Sequence, residues 1–267
     1  MPTVEANGLR LYYEVHGEGE PLLCVMGLGA DHSAWVLNVP VLAETHRVVV
    51  FDNRDVGQSS YVEEPYEVTD MAADALALAD ALELDSFHLV GMSLGGAISQ
   101  ELALAAPERV RTLSLAVTYG GNGGWGRQRA KVFRRILEGD MSREERVDFL
   151  MALVYSEIVF DNEGFREAAR ATMLQHPHPQ SNEAFIRQLD AGARHETRPR
   201  LGELSMPVQV IGARRDVMIP PHKSGELAEL IPDAKLTVLD CGHACNVEQA
   251  QEFNALVRDF ARVRASV

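Results

Sequence analysis

A hydroxyl at the tip of a strand-to-helix turn constrains this chain more than any other feature. The apolar run Phe87-His88-Leu89-Val90 reads as a strand, Gly91-Met92-Ser93-Leu94-Gly95 as a sharp turn, and Ala97 to Ala106 as helix ended by Pro107. A turn this tight forces its central residue into strained backbone, so the flanking positions must be small, and glycine occupies both. Such strain costs on the order of 1–3 kcal/mol and survives where it serves a site. The five-residue pattern is weak by itself, because glycine and serine are common. The strand before it and the helix after it make Ser93 a candidate nucleophile.

The surrounding chain supplies a sheet for that strand. Asn7-Gly8 between Thr3–Ala6 and Leu9–Val15 marks a two-residue hairpin. Leu22–Met26 is apolar on both faces, as a central strand of a covered sheet should be, Arg47–Phe51 reads as another buried run, and Phe87–Val90 and Val110–Val117 read as further strands. Helices are expected over Ser33–Glu44, Asp70–Leu84 and Leu94–Ala106. Strand and helix thus alternate over residues 20–118, which implies a mostly parallel sheet with right-handed crossovers. Residues 119–200 break the alternation with helical runs near 127–138, 142–155, 163–175 and 182–194. It resumes with Val208–Ile211, a helix opened by Pro220-Pro221, Lys235–Leu239 and a final helix from Val247 to Arg264. The expected organisation is one α/β domain, 1–118 with 201–267, carrying an all-helical insertion at 119–200.

Composition narrows the function classes. A net charge of −14 over 267 residues argues against nucleic acid and against docking on anionic membranes. No apolar run approaches the roughly 18 residues of a membrane helix, and Met1 to Ala6 carries no basic-then-apolar leader pattern. Three cysteines without a framework of spacings fit a reducing cytoplasm. Cys241-Gly242-His243-Ala244-Cys245 crowds three candidate ligands together, and no second cluster completes a tetrahedral metal site. Packed thiols around a functional histidine are expected instead.

A serine hydroxyl becomes a nucleophile only when a base takes its proton and a third group orients that base. Asp216 follows Val208–Ile211 and His243 follows Lys235–Leu239, both at carboxyl ends of expected strands, where ligands bind in open α/β sheets. His176 and His178, in the insertion, read as solvent loop, and His88 reads as strand packing. Asp240 is too near His243 in sequence to reach its ring from a separate strand, and position 118 is threonine. An oxyanion needs donors. The backbone N–H of Leu94 opens a helix, and the glycine-flanked loop after Leu22–Met26 offers that of Leu28.

Together these residues resemble the α/β-hydrolase fold family, in its small, cap-bearing esterase and lactonase type. The likeness runs through Gly27-Leu28-Gly29, the Phe51–Ser59 loop, the serine turn, Asp216 and Gly242-His243. Two runs, Leu28–Trp35 and Asn246–Gln249, are similar to the 3-oxoadipate enol-lactonase branch. The chain departs from the family pattern at Met26-Gly27, where His-Gly is usual, and at Asp55, where glycine is usual. The resemblance implies an eight-stranded sheet flanked by helices, with a helical cap between strands six and seven.

The chemistry expected is ester or lactone hydrolysis by Ser93, His243 and Asp216, with the Leu28 and Leu94 amides on the oxyanion. No cofactor and no metal is called for. The expected partners are a small ester or lactone and, at most, a second copy in a homodimer. Carbon–carbon bond hydrolysis and cofactor-free perhydrolysis use the same triad, and a ligand-sensing receptor can retain the fold. Substrate choice is expected to lie in 119–200, where Trp125, Phe133, Phe149, Tyr155 and Met173 are pocket candidates. The glycines of 120–124 are expected to hinge the insertion, with Trp125 at the mouth.

Overall fold

In the computed structural model, which describes residues 2–262, one sheet runs in the order β1-β2-β4-β3-β5-β6-β7-β8. The strands are β1 (Thr3–Ala6), β2 (Leu9–His16), β3 (Glu20–Val25), β4 (His46–Phe51), β5 (Phe87–Met92), β6 (Val110–Ala116), β7 (Val208–Ala213) and β8 (Lys235–Leu239). β1 and β2 pair antiparallel, as does β2 with β4; every other pairing is parallel. This is the α/β-hydrolase fold. β3, β5 and β4 lie at the centre, and their alternating side chains feed two cores. Leu23, Val25, Val49, Phe51 and Leu89 join one face, while Leu22, Cys24, Val48, Val50 and Val90 join the other. Burial on both faces is why these strands lack the polar alternation of half-exposed ones.

The helices are α1 (Val39–Leu42), α2 (Val68–Ala81), α3 (Leu94–Ala105), α4 (Gly123–Leu137), α5 (Arg143–Val154), α6 (Glu157–Asp161), α7 (Glu163–Leu174), α8 (Asn182–Arg194), α9 (His222–Leu230), α10 (Cys245–Glu248) and α11 (Ala250–Phe260). α2 and α3 cover the first core, while Trp35 and Phe253 of α11 anchor the second. Two expectations are corrected. The helix expected over Ser33–Glu44 is a 3₁₀ turn, His32–Trp35, followed by the single turn α1. Pro40 lacks an N–H and would clash with a helical Val36 carbonyl, so a helix running on from Ser33 cannot continue past it, and Pro40 is accommodated only in the first turn of α1. The final helix is split at Gln249 into α10 and α11, and Arg264 lies outside the described residues.

Between β6 and β7 stand five helices, α4 to α8. α4 starts at Gly123, four residues earlier than its apolar period indicates, and α6 has no counterpart in the sequence reading. The two ends of this segment lie side by side: Gly121 bridges Glu196, and the Thr197 amide donates to the Gly120 carbonyl at 2.6 Å. A glycine stretch pinned in this way is tied to the segment that follows α8.

His195, at the foot of α8, is buried, and burial pushes its imidazole down to about 4. Glu101 lies 3.6 Å away but is engaged by Arg200 at 2.7 Å. The folded chain therefore keeps His195 neutral, whereas the unfolded chain protonates it near its ordinary value of 6.5. The associated stability is complete above pH 6.5 and is lost as pH falls toward about 4. Thermal melts of His195→Gln should decline less between those two pH values than wild type, by several degrees. Parallel pH profiles would show that another group controls acid sensitivity.

Candidate active site

Ser93 sits between β5 and α3 at φ +57°, ψ −123°, a region L-residues rarely enter. Packing enforces this backbone. A Cβ on Gly91 would lie 2.3 Å from Ser99 Oγ and 2.4 Å from the Gly95 carbonyl oxygen, and one on Gly95 would lie 2.1 Å from the Val25 carbonyl oxygen. The Ser93 amide donates to Ala116 O at 2.9 Å, and Thr118 Oγ1 donates to Ser93 O at 2.6 Å. Position 118 thus secures the turn from the neighbouring strand.

β3 and β5 are parallel neighbours with Val25 opposite Gly91, so the loop after β3 falls beside the serine. A Cβ on Gly27 would stand 2.8 Å from Ser93 Cβ and 3.3 Å from Ser93 Oγ. Glycine is required there by close approach, and the preceding Met26 side chain is buried in the second core. Leu28 and Leu94 both line the cavity above Ser93. Neither amide has a hydrogen-bond acceptor among the described residues.

β7 and β8 deliver the other two groups. His243 Nδ1 lies 2.7 Å from Asp216 Oδ2, with the carboxylate fully shielded from solvent. The Met218 and Ile219 amides donate to Asp216 Oδ1 at 2.7 and 2.8 Å, which fixes the carboxylate rotamer. His243 and Ser93 line one cavity of about 1000 Å³. The cavity runs between the sheet's carboxyl rim and the inserted helices, and its walls are mostly apolar. Asp240 turns outward to Arg215 at 3.0 Å, and His88 bonds Thr112 at 2.8 Å near the opposite rim. Cys24, Cys241 and Cys245 are buried free thiols, and burial pushes Cys24 and Cys241 up to about 12. Among the described residues, the one cluster with metal-ligand spacing is Asp31, His32 and Asp52. Its carboxylates are engaged by protein donors: Ser33 and His176 on Asp31, His32 and the Gln58 amide on Asp52.

Phe133, Tyr155 and Met173 line the cavity, and Phe149 packs behind Phe133 at 5.4 Å between ring centroids. Trp125 does not reach it. The indole is 56% exposed on the outer side of α4, beside Lys223 and His222, with the Arg129 guanidinium 4.6 Å over its ring. Because α4 begins at Gly123, Trp125 falls in its first turn on the solvent face. His176 and His178 are also displaced from the solvent loop expected for them: both line the cavity, and His176 Nε2 lies 3.0 Å from Asp31.

Sequence reading missed the residues that tie the insertion to the core. Gln188 of α8 is fully buried; its Oε1 accepts from the Gly29 amide at 3.1 Å and its Nε2 donates to Arg54 O at 2.8 Å. Arg187 grips Asp55 in a two-pronged ion pair at 2.8 and 2.9 Å. Asp55 itself adopts φ +68°, the left-handed backbone a glycine would tolerate, and its carboxylate explains the exchange. Glu248 accepts from the Gly242 and Ser156 amides at 3.2 and 3.0 Å, fastening the His243 loop to the end of α5. None of these pairs is closer than six residues in sequence, so no local pattern announces them.

The profile of the alpha/beta hydrolase fold family matches residues 20–250, and the chain belongs to that family. The "Putative carbamate hydrolase RutD" of Azorhizobium caulinodans is 32% identical over 263 residues, covering 97% of this chain and 98% of its own. The enol-lactonase of Burkholderia xenovorans LB400 superposes with a TM-score of 0.85 at 25% identity, over 97% of this chain and 99% of that one. A hydrolase from Pseudomonas aeruginosa superposes with a TM-score of 0.89 at 26% identity, over 98% of each chain. These three proteins bear the names of hydrolases, and no helix among the described residues is long and apolar enough to cross a membrane.

The glycine contacts make a direct prediction. Gly95→Ala should cost about 3 kcal/mol or more, because its Cβ meets backbone that cannot rotate away. Gly202→Ala, with open space around it, should be near neutral. Equal melting temperatures for the two variants would contradict the packing account of the turn.

Proposed function

We propose that this chain hydrolyses a carboxylic ester or lactone of a small organic molecule through a covalent acyl-enzyme, with 119–200 as the cap over the substrate. The observation that carries the reading is the pairing of a strained, cavity-facing Ser93 with a His243 whose Nδ1 is held by Asp216. That bond leaves Nε2 as the basic nitrogen. Ser93 Oγ attacks the carbonyl carbon while Nε2 takes its proton, and Asp216 stabilises the imidazolium. The carbonyl electrons move onto oxygen, facing the Leu28 and Leu94 amides. Collapse expels the alcohol, protonated by His243; in a lactone it stays tethered. Water deprotonated by His243 then attacks the acyl carbon, releasing the acid and restoring Ser93.

Carbamate hydrolysis is the second reading, favoured by the 32% identical relative that bears that name. The same attack applies to a carbonyl flanked by oxygen and nitrogen. The apolar cavity of about 1000 Å³ favours a substrate with a hydrocarbon body over a very small carbamate.

A panel of p-nitrophenyl esters of rising chain length, enol-lactones and aryl carbamates should show turnover by wild type and loss of about 10⁴-fold or more in Ser93→Ala. A fluorophosphonate should label Ser93. An unlabelled, inert wild type would overturn the reading. Gln188 is a positioning residue in this scheme, since it holds the loop bearing the Leu28 amide. Gln188→Met should lower kcat by about 10- to 100-fold, less than outright loss of an oxyanion donor. KM should change little. A rise in KM at constant kcat would assign Gln188 to substrate binding instead.

A further inference from the structure

The exposed indole of Trp125 has a partner in Arg129, four residues on and one turn along α4. The guanidinium stacks 4.6 Å over the ring. Arg129 is half-buried where α4 passes from solvent to the cavity wall. No carboxylate lies within ion-pair distance of it among the described residues. Burial pushes the guanidinium below its ordinary value, and the acid whose charge opposes that effect is Asp216.

One peptide group joins the two charges. Arg129 Nη1 donates to the Met218 carbonyl oxygen at 2.5 Å. The same peptide unit carries the Ile219 N–H, which donates to Asp216 Oδ1 at 2.8 Å. That unit is rigid and planar, with its C=O and N–H pointing opposite ways, so holding one end fixes the other. A cation on the oxygen also polarises the N–H and strengthens its bond to the anion. The series then runs on from guanidinium, peptide and carboxylate to imidazole, since Asp216 Oδ2 lies 2.7 Å from His243 Nδ1. Among the described residues, the segment 216–219 takes hydrogen-bond partners from beyond Ala213–Ile219 at two points, His243 and Arg129. Arg129 therefore forms the outer end of a chain that finishes at the base, and it stands on the insertion, not on the sheet.

Resting on the hydrolase reading above, we propose that Arg129 is a positioning residue for the triad acid, acting through the Met218–Ile219 peptide, and that Trp125 holds Arg129 in place. Arginine suits this task because its flat, weakly hydrated guanidinium stacks on an indole while its edge N–H groups stay free to donate. Lysine can reach the carbonyl but cannot stack in the same way. Without the cation, the peptide is free to rock and Asp216 loosens. The imidazole then loses part of the orientation that aims Nε2 at Ser93 Oγ. The seating of α4 thereby sets the orientation of Asp216.

The test measures p-nitrophenyl ester hydrolysis in Arg129→Met, Arg129→Lys and Trp125→Leu. Arg129→Met should lower kcat by about 5- to 30-fold with KM little changed, as expected for an orientation loosened but not lost. Arg129→Lys should recover part of the loss, and Trp125→Leu should lower kcat by about 2- to 5-fold. In an Asp216→Asn background, Arg129→Met should cost nothing further, because its action passes through that carboxylate. An unchanged kcat in Arg129→Met, or a full multiplied loss in the Asp216→Asn background, overturns the proposal. So does a rise in KM at constant kcat, which would assign Arg129 to substrate contact. If Arg129→Met does not fold, Arg129→Lys and Trp125→Leu decide: wild-type kcat in both overturns the proposal. Proton NMR reads the same linkage without turnover. The downfield resonance of the His243 Nδ1 proton, bonded to Asp216, should broaden or move upfield in Arg129→Met and in Trp125→Leu; a resonance identical to wild type in both overturns the proposal. Failure of the hydrolase reading looks different: no ester is turned over and Ser93 is not labelled, and the Nδ1 resonance then decides the Arg129 linkage alone.

Discussion

The close approach of three backbone segments around Ser93 sets the geometry on which the site depends. The end of β3, the turn after β5 and the first turn of α3 meet at distances that admit no Cβ on Gly27, Gly91 or Gly95. Parallel pairing brings them together, since Val25 lies opposite Gly91 in register. The strain at Ser93 is held by contacts on every side: Ala116 and Thr118 from β6 and the loop after it, and the Val25 and Met26 carbonyls from β3. Relaxing φ at Ser93 would move α3 away from β3 and open the first core. The unfavourable backbone persists because the alternative costs more packing.

Parallel topology has a second consequence. Strands β3 to β8 all end at one rim, so loops far apart in sequence converge above Ser93. Asp216 and His243 arrive there on neighbouring strands, close enough for a 2.7 Å bond. The rim loops are then trimmed by the inserted helices. Gln188 holds the Gly29 amide, Arg187 holds Asp55, and Glu248 joins the His243 loop to Ser156. These contacts make the insertion part of the site's rigidity. Acids dominate the chain, while Arg129 of α4 and Arg143 and Arg146 of α5 line the cavity.

Legibility in the sequence tracks how local each determinant is. The serine turn was readable because strand, glycines and helix are contiguous, the central strands because double-faced burial leaves apolar runs, and β1 and β2 because Asn7-Gly8 marks their hairpin. Asp216 could be placed because β7 is such a buried run, and His243 because Lys235–Leu239 reads as a strand although it is half-exposed. Helix limits failed where one residue overrode a period: Pro40 broke the helix after Asp31, and α4 began at Gly123 despite its glycines. Trp125 was misplaced by that shift, since a few residues of helix turn a side chain from the cavity to solvent. His176 was misread because nothing near it in sequence predicts Asp31.

By itself, then, the sequence determined the α/β framework, the position of the insertion and the three groups offered for acyl chemistry. Each follows from periodicity or from residues adjacent in the chain. Only the tertiary structure decided which insertion side chains enter the cavity, that Gln188, Arg187 and Glu248 bind the insertion to the rim, and that Arg146 Nε has no hydrogen-bond partner among the described residues. Those are facts about contacts between residues from six to more than a hundred positions apart. Such contacts depend on how helices rotate and settle against the sheet, a balance of packing that no local pattern encodes.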